Sequence, residues 1–590
     1  MSDDDPKRGS GPVSVLSPPT PPKAIVAEPR RPKPVHERFK PQPMVEWFHP
    51  YRLLVTGLQV LVWEFVGQSR PMEERPRSFA IHEEFATDRN ELWFDFIADV
   101  GDGWDSTYTM ASLVAQPHLE IDGKVLPRGE FLLFGGDEVY PVPSQRSYLE
   151  RFVAPYEAAL PPGSTSVMFA IPGNHDWYDG LVSFSRQFTQ HLPIGQWVTK
   201  QNQTYFAIQL PQRWWLWALD VLPKTEMDFG QRSYFENAAD ELDPGDRVIL
   251  VSAVPEWISV PIDQPDESHT VRMQALIADK KATVHLWLAG DLHHYRRHEL
   301  VDPDGSANPA FQRISSGGGG AYLSPTHRPA HRRVVVRTGV EDQQFDRKAA
   351  YPNSVTSLRL SFMNLFFAVK NWKLGVNLLG IVYLMLTWTT RPADWPAPAS
   401  WLEILKSPGL LFWLLVILGG FVVYADNRHR GFQWIGGLAH GVAHVLVAMW
   451  ATGMINRTFL EGGAGVTDYF AATLLNFVAG AVLGPTVLGL YLFVAINFFG
   501  RHADHAFSSL RIPHYKHFLR LHVREDGQLE VYPIGVRRVP KGGAGRASYT
   551  LLEGPVVIDP LRTSKTRAGG WAAAAPAAAA PSPVEAPPTT

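Results

Sequence analysis

Short apolar runs separated by polar stretches dominate the first half of the chain, from about residue 75 to residue 350. Most of these runs are apolar at nearly every position and end in Gly, Asp or Asn: LWFDFIADV, FLLFGGD, TSVMFAIPGN, WWLWALD, RVILVSAV and VHLWLAGD. Runs that are apolar on both faces predict strands buried between other layers. Polar residues at strand ends mark the place where open α/β sheets build their sites. The pattern therefore predicts a globular α/β domain over residues 75–350.

The hydrophobic pattern changes after residue 360, where four long apolar stretches follow: 374–390, 408–425, 432–455 and 469–499. About 20 consecutive apolar residues cross a bilayer. We therefore predict a four-helix transmembrane domain over residues 360–500, fused as an α-helical bundle to the α/β domain. Buried core helices of a soluble domain are the alternative, but four runs with almost no charge favour the membrane. The last stretch is too long for one straight span, and Pro485 predicts a kink.

Lys and Arg residues flank the predicted spans unevenly. They collect before the first span, between the second and third, and after the fourth, whereas the alternate loops carry few. By the positive-inside rule, the α/β domain and the C-terminus lie on the cytoplasmic side of a plasma (inner) membrane. Membrane lipids are then expected partners of the chain.

The two ends of the chain and the segment before the α/β domain have compositions of their own. Residues 1–45 are rich in Pro and residues 563–590 in Ala and Pro, which predicts a disordered arm and a disordered tail. Residues 46–74 contain a short apolar stretch with an Arg and a Glu inside it. This pattern predicts either an amphipathic helix lying in the membrane interface or a helix packed on the domain.

A second turn-and-strand pattern follows the last apolar stretch. Alternating apolar and polar residues flank Asp526 and Gly527, a dipeptide that favours a tight hairpin turn. We therefore predict a small cytoplasmic domain over residues 501–562 that contains a β-hairpin.

Charge and cysteine content exclude several classes of function. The 590 residues include 55 basic and 58 acidic side chains, for a formal net charge of -3, whereas nucleic-acid binders normally show a basic excess. The chain has no cysteine, which excludes disulfides and thiolate zinc sites. The composition does not indicate an oligomeric state.

Six residues of metal-binding or acid–base type stand at the predicted strand ends: Asp99, Asp137, Asn174, His175, Asp291 and His293. Oxygen ligands with one or two imidazoles suit Mn²⁺, Mg²⁺ or Fe rather than a structural zinc ion. A carboxylate that bridges two such ions sets them about 3.5–4 Å apart, the spacing that activates water and binds a phosphoryl group.

Three of these strand ends together resemble a known family. The segments GGDEVYP, PGNHDW and AGDLHHY, in this order, are similar to the motifs of the calcineurin-like metallophosphoesterases over residues 90–330. More narrowly, they resemble a little-characterised membrane-anchored branch found in bacteria and plants. The resemblance implies a four-layer sandwich of two mixed β-sheets flanked by helices. It also implies hydrolysis of a phosphomonoester or phosphodiester by a hydroxide held on two divalent metal ions.

The resemblance also implies roles for individual ligands. Asp99 and His293 would bind the first metal ion, and Asp137 would bridge the two ions. Asn174 would bind the second ion through its amide oxygen.

The same motif implies the catalytic acid. His175 would stabilise the transition state or protonate the leaving oxygen, and Asp176 would orient it by fixing its tautomer.

The sequence departs from the family at three positions where a ligand histidine is expected, namely Gly101, Ala253 and Asp291. Asp102 could replace the first histidine, although it could equally belong to a simple turn. Asp291 itself could replace the third. For the second, His327 or a water molecule are the candidates. A harder, more anionic ligand set predicts a preference for Mn²⁺ or Mg²⁺ over Zn²⁺.

These features leave three hypotheses for function. The first is a membrane-anchored, metal-dependent phosphoesterase that acts on a phosphorylated small molecule or a lipid-linked phosphate. The second is a membrane sensor or transporter component that binds a phosphorylated ligand with little turnover, as the missing histidines suggest. The third, a structural anchor, leaves the polar strand ends unexplained. Inside the third span, His440 and His444 could form a metal or proton site or simply pack.

Overall fold

A computed structural model of the chain describes residues 35–38, 40–62, 78–161, 163–222, 227–260, 268–328, 332–338, 341–389, 408–426, 429–460, 463–543 and 547–561. The predicted disordered tail, most of the predicted disordered arm and the end of the predicted interfacial segment lie outside these residues.

The β-strands form two large mixed sheets and one small ribbon. In chain order the strands are β1 (Leu92–Ile97), β2 (His118–Ile121), β3 (Lys124–Pro127), β4 (Phe131–Gly135), β5 (Ser166–Ile171), β6 (Trp197–Thr199), β7 (Phe206–Leu210), β8 (Trp214–Leu219), β9 (Arg247–Ser252), β10 (Thr283–Ala289), β11 (Tyr295–Val301), β12 (Ala307–Ser316), β13 (Arg333–Thr338), β14 (Glu341–Tyr351), β15 (Lys516–Val523), β16 (Leu529–Val536), β17 (Thr550–Leu551) and β18 (Val556–Ile558).

The first sheet has the order β17-β16-β15-β1-β4-β5-β6, with β18 paired to β16, and the second has the order β13-β14-β11-β12-β10-β9-β8-β7. β1, β4, β5 and β6 run parallel, as do β8, β9, β10 and β12. The carboxyl ends of these parallel strands carry the predicted site residues.

The helices and helical turns are Val35–Arg38, Pro50–Val62, Trp104–Val114, Gln145–Ser147, the π-helix Tyr148–Val153, Ala154–Ala159, Asn174–Trp177, Val182–Phe188, Phe229–Asp240, Glu256–Ser259, His269–Asp279, Ser354–Ser361, the 3₁₀-helix Phe362–Phe366, Phe367–Lys370, Trp372–Leu374, the π-helix Gly375–Leu379, Gly380–Thr389, Pro408–Tyr424, Arg430–Leu460, Val466–Phe499, Ala503–Ser508 and the 3₁₀-turn Lys541–Gly543.

Three apolar cores stack the sheets and helices into four layers. The inner core lies between the two sheets and joins Phe94 and Leu133 of the first sheet to Leu216 and Leu288 of the second. A second core packs the helices between β1 and β6 on the outer face of the first sheet. A third packs the helices between β8 and β10 on the outer face of the second. The predicted arrangement of two mixed sheets flanked by helices is therefore present in the described residues.

The C-terminal hairpin belongs to the first sheet and not to a separate small domain, so that part of our prediction is wrong. β15 and β16 pair as predicted, with Gly527 in the left-handed region at φ 83°. β15 also pairs antiparallel with β1, from Leu92 opposite Val523 to Phe96 opposite Leu519. Every residue of β16 is buried, because the strand lies between the helices and the second sheet. The α/β domain is thus discontinuous in sequence, and the helical segment is inserted within it.

Two helices are long and apolar enough to cross a membrane, Arg430–Leu460 and Val466–Phe499. The helical segments Ser354–Lys370 and Trp372–Met385 pass the same test as a pair bent by 43°. Pro408–Tyr424 is apolar, but its 17 residues fall short of the roughly 20 needed for a span. By length and composition, the described residues thus hold two or three crossings and not the four that we predicted.

The bundle shows the surface and the interfaces expected of helices in lipid. Val466–Phe499 is one continuous helix with Pro485 inside it. Apolar side chains such as Ile435 and Phe470 are exposed on the outside. Small residues lie where helices approach closely, as Gly437 does against Val422.

The two histidines of the bundle are buried among aromatic rings. His440 stacks on Tyr491 with ring centroids 3.9 Å apart, and His444 stacks on Phe421 at 4.4 Å. Nδ1 of His444 also lies 3.1 Å from the Tyr383 hydroxyl. The described residues contain no metal-binding group of three His, Asp or Glu side chains in this bundle. These contacts favour the packing interpretation of the two histidines.

One further core joins the bundle to the α/β domain. Tyr322 and Leu323, from the loop after β12, pack in it with Phe367, Leu488 and Leu492 of the bundle. The membrane-type helices therefore end directly against a loop of the α/β domain.

Candidate metal-binding active site

Three carboxylates of the candidate site follow buried parallel strands. Asp99 follows β1, Asp137 follows β4 and Asp291 follows β10, and their φ angles are 59°, 57° and 63°. All three therefore lie in the left-handed region, which costs a non-glycine residue of the order of 1–3 kcal/mol. Such conformations cluster where a fold has to aim side chains at a common point. The backbone N–H of Asp291 donates to Oδ2 of Asp99 at 2.9 Å, which joins the two sheets at the site.

The hydroxyl of Tyr140 lies at the centre of this group. Its oxygen is 2.8 Å from Oδ1 of Asp99, 3.1 Å from Oδ2 of Asp137 and 3.0 Å from Nε2 of His293. Nε2 of His293 is itself 3.2 Å from Oδ1 of Asp99. Side-chain atoms of three of the predicted metal ligands thus contact one hydroxyl oxygen. Tyr140 belongs to the GGDEVYP segment, but we did not predict its position.

Asn174 and His175 open a short helix directly after β5. The backbone N–H of His175 donates to Oδ1 of Asp137 at 2.8 Å. Its ring nitrogen Nδ1 lies 2.7 Å from the carbonyl oxygen of Pro141. Because a carbonyl can only accept, Nδ1 carries the hydrogen in the neutral ring and Nε2 is the basic atom. The amide of Asn174 contacts the Tyr178 hydroxyl at 3.3 Å.

Asp176 holds the loops of the site and not the ring of His175, so the predicted orienting role is wrong. Its Oδ2 accepts the backbone N–H groups of Gly173 at 2.9 Å and Asp137 at 3.0 Å. Its Oδ1 accepts the Tyr148 hydroxyl at 2.6 Å. Gly173 is required here because an added Cβ would overlap the Asp137 carboxylate. Part of the GNHD motif therefore serves to hold the loops of the site in place.

Asp102 is buried, but both its carboxylate oxygens are engaged by backbone groups. Oδ1 accepts the N–H of Val45 at 2.7 Å, and Oδ2 accepts the N–H of Tyr322 at 3.1 Å. This geometry supports a role for Asp102 in anchoring the backbone segments of Val45 and Tyr322. That role is close to the interpretation of Asp102 as part of a turn and differs from the predicted role as a metal ligand.

His327 lies away from the carboxylates. Its Nδ1 is 2.8 Å from the Ser357 hydroxyl, and its ring packs near Phe507. The structure thus places it at the junction with the bundle and gives it no contact with the predicted ligands. His327 was the candidate replacement for the histidine missing at Ala253, and its contacts do not support that role.

The glycine-rich run Gly317–Gly320 is packed tightly and does not form an open phosphate-binding loop. The N–H of Gly319 donates to the backbone carbonyl of Ala98 at 2.9 Å, and the N–H of Ala321 donates to the backbone carbonyl of Asp99 at 2.8 Å. An added Cβ at Gly317 would overlap the Asp99 carboxylate. The run therefore shapes the wall of the site.

Burial and crowding of negative charge dominate the electrostatics. Burial, followed by the charges of Asp99, Asp176 and Asp291, raises the pKa of Asp137 well above its usual range. Burial lowers the pKa of His293, but the hydrogen bond and charge of Asp99 outweigh burial and raise it overall. Burial lowers the pKa of His175 to about 4.

A divalent cation fits this donor set. Carboxylates, an amide and an imidazole lie together where burial and neighbouring carboxylates raise the pKa of Asp137, and hard divalent ions prefer such ligands. The types of donor suit a divalent ion, but their arrangement does not form a metal site, because no three His, Asp or Glu side chains of the described residues are grouped closely enough to hold an ion. Asp99, Asp137, Asn174, Asp291 and His293 are the residues that could close around an ion.

Lys516 is a second residue of the site region that we did not predict. It begins β15 and is fully buried, and its ammonium donates to the carbonyl of Ala321. Burial lowers its pKa to about 7, against the opposing charges of Asp102 and Asp99. It comes from more than 400 residues further along the chain than these carboxylates, so no local motif could have indicated it.

Comparisons with known proteins give little beyond this geometry. No family model and no curated protein matches the sequence. A solved structure of PhoD aligns with a TM-score of 0.27 and 11% identity, over 41% of this chain and 59% of that one. A purple acid phosphatase, PPD1 from yellow lupin (Lupinus luteus) seeds, aligns with a TM-score of 0.29 and 14% identity, over 45% of this chain and 48% of that one. The chain thus spans less than two thirds of either protein. At these scores neither likeness carries an argument, and function has to be inferred from the residues of this chain.

Proposed function

We propose that the chain is a membrane-anchored, metal-dependent phosphoesterase. The observation that carries this proposal is the convergence of Asp99, Asp137 and His293 on one buried point, with His175 joined to Asp137 through its backbone. The motifs that resemble calcineurin-like metallophosphoesterases are the ones that build this point. Two divalent ions, Mn²⁺ or Mg²⁺ by preference and Fe as the alternative, would supply Lewis acidity and lower the pKa of a bound water.

The protein's own residues have separate tasks in the hydrolysis. The carboxylates of Asp99, Asp137 and Asp291 would balance the charge of the ions and hold them in place. The overall reaction adds water to phosphorus and breaks the bond from phosphorus to the leaving oxygen, which departs as an alcohol. Because Nδ1 of His175 is fixed on Pro141, Nε2 is the ring atom that would take up a proton and pass it to the leaving oxygen.

The membrane position of the enzyme is part of the same proposal. Two helices are long and apolar enough to cross a bilayer. The charge asymmetry along the sequence supports a cytoplasmic active site and C-terminus at the plasma (inner) membrane. The substrate would be a phosphorylated small molecule or a lipid-linked phosphate.

A sensor or transporter component that binds a phosphorylated ligand is the second candidate. It is favoured by the three missing histidines, since Gly101 and Ala253 bring no ligand to the site. The enzyme is favoured because His175 is kept with a defined tautomer beside the carboxylates, and a binder needs no proton donor there.

Metal add-back to the purified full-length protein in detergent tests the proposal. After chelation, Mn²⁺, Mg²⁺, Fe²⁺ or Zn²⁺ is returned, and hydrolysis of a chromogenic phosphomonoester and phosphodiester is measured. We expect Mn²⁺-dependent turnover that Asp137→Asn abolishes and that His175→Ala lowers by about 10²–10⁴-fold.

Two surface variants serve as matched controls. Asp122→Asn makes the same change at an exposed residue that also has a positive φ, of 51°. His118→Ala makes the other change at an exposed histidine. Both should keep full activity. Stoichiometric metal binding without turnover of any ester would contradict the enzyme and support the ligand-binding alternative.

A further inference from the structure

Residues 40–49, which we call the strap, cross the candidate site although we predicted a disordered arm up to residue 45. The carbonyl of Gln42 accepts the N–H of Trp104 at 2.9 Å. The N–H of Val45 donates to Asp102 at 2.7 Å, and Val45 is buried. Glu46 then binds two cations at the end of the bundle, Lys373 at 2.7 Å and Arg511 at 3.3 Å. The strap is therefore tied both to the site and to the bundle.

The indole of Trp47 in the strap lies against the catalytic histidine. Its ring centroid is 5.7 Å from His175, 6.0 Å from Tyr140 and 5.6 Å from Tyr322, each in an edge-to-face arrangement. Nε1 of Trp47 is buried, and no described residue accepts its hydrogen. A buried donor without an acceptor is unfavourable, and a ligand oxygen beside His175 would satisfy it.

The strap also leads from the site to the membrane-type surface. Phe48 packs on Phe367 of the bundle with centroids 5.0 Å apart. The helix Pro50–Val62 follows directly and exposes apolar side chains, including Tyr51 at 68% and Leu54 at 61%. An apolar helix face beside helices of membrane length fits the bilayer interface. The wall of the site formed by Trp47 and Tyr322 is therefore continuous with the surface expected to meet lipid.

We propose that Trp47 makes this site selective for phosphoesters whose alcohol is a long apolar chain held in the bilayer. This inference rests on the proposed function, in which His175 stands beside the leaving oxygen. A group next to His175 must then meet the alcohol portion of the substrate. The nearest strap group is the apolar face of Trp47, from which Phe48 and the bundle continue toward lipid. The indole selects an apolar leaving group by contact, and its N–H can bind an ester oxygen.

A leaving-group series in lipid vesicles tests this selectivity. The full-length protein is reconstituted with Mn²⁺, and phosphate release is measured from butyl phosphate, dodecyl phosphate and the soluble p-nitrophenyl phosphate. We expect the wild type to prefer dodecyl over butyl phosphate by at least about tenfold in kcat/KM. Trp47→Ala should reduce that preference to about twofold or less. Trp47→Phe should retain most of it, because the aromatic contact remains.

A matched control and the p-nitrophenyl ester separate the outcomes. Trp434→Ala removes an indole that is 59% exposed on the bundle, far from the strap in sequence, and should keep the wild-type preference. The selectivity would be overturned if Trp47→Ala kept the wild-type preference for dodecyl phosphate, or if the wild type showed no such preference. In either case, hydrolysis of the p-nitrophenyl ester would still support the proposed phosphoesterase activity. If the metal-loaded wild type hydrolyses none of the three esters but still hydrolyses the chromogenic phosphodiester, this inference fails and the proposed function stands. If it hydrolyses neither class of ester, both fail. Melting temperatures of the variants show whether each is folded.

Discussion

The ion pair between Arg520 and Asp95 offers a sharp test of how the C-terminal hairpin is attached to the first sheet. Nε and Nη2 of Arg520 donate to the two carboxylate oxygens at 2.7 Å and 2.9 Å, and Nη1 donates to Leu126 at 2.9 Å. Arg520 is 0% and Asp95 is 1% exposed. Arg520→Met leaves the carboxylate with one long contact, from Gly129 at 3.4 Å. Loss of one partner of such a buried pair costs about 3–5 kcal/mol of unfolding free energy.

The midpoint of urea unfolding, followed by pulse proteolysis of the full-length protein in detergent, measures this cost. With a slope of about 3 kcal/mol per molar for a domain of this size, Arg520→Met should lower the midpoint by about 1–2 M. Adding Asp95→Val should restore most of the loss, because a buried pair replaced by apolar residues is often nearly neutral. Arg333→Met, at an exposed pair with Asp346, should leave the midpoint unchanged. A midpoint shift below about 0.3 M for Arg520→Met alone would refute this account of how the hairpin is attached.

Four further substitutions test the centre of the site, one of its loops, a buried histidine and the strap. Tyr140→Phe removes the hydroxyl between three predicted ligands and should weaken Mn²⁺ binding and activity by about 10–100-fold, measured by calorimetry and kcat. Gly173→Ala places a Cβ against the Asp137 carboxylate and should lower Mn²⁺ affinity at least about tenfold in the same titration, with the melting temperature reporting the fold. Burial lowers the pKa of His285 to about 4, whereas an unfolded chain titrates near 6.5. Between these two pKa values only the unfolded chain binds that proton, so the free energy of unfolding should fall by up to about 3 kcal/mol as the pH drops from 6.5 to about 4. In His285→Gln the urea midpoint should therefore fall less steeply with decreasing pH than in the wild type. Glu46→Gln releases the strap from two cations and should speed proteolytic cleavage within it, and an unchanged cleavage rate would argue against this anchoring.

The strand ends could be predicted from sequence because their signals are local. An apolar run followed by Gly and a polar residue marks both the strand and its site, which is how Asp99, Asp137 and Asp291 were found. Asp99 and Asp137 come together beside Tyr140 because β1 pairs parallel with β4, whereas Asp291 follows a strand of the second sheet and joins them through the bond from its N–H to Asp99. Tyr140 itself was overlooked within a segment already singled out, because a tyrosine is more often a core residue than a site residue.

The long-range features were missed because no local pattern encodes them. The hairpin around Asp526 and Gly527 was predicted, but its pairing with β1 joins residues 425 positions apart, Asp95 and Arg520. A hairpin signal does not indicate which sheet receives it. The strap was missed for a different reason: its Pro-rich surroundings resemble disordered chain, and the contacts that show it to be folded, such as that of Val45 with Asp102, come from distant parts of the sequence.

The acidic residue at position 291 and the return of the C-terminal hairpin both affect the charge of the site. Asp291 stands where the resembling motif has a histidine, and its negative charge contributes to the raised pKa of Asp137. The hairpin brings Lys516 to the same region, and the charges of Asp102 and Asp99 oppose the effect of burial on that lysine. A buried cation near a buried acidic cluster reduces the cost of keeping the carboxylates ionised for metal ions. The hairpin therefore contributes to the charge balance of the site, and Lys516 offsets negative charge there to the extent that it is protonated, with a pKa of about 7.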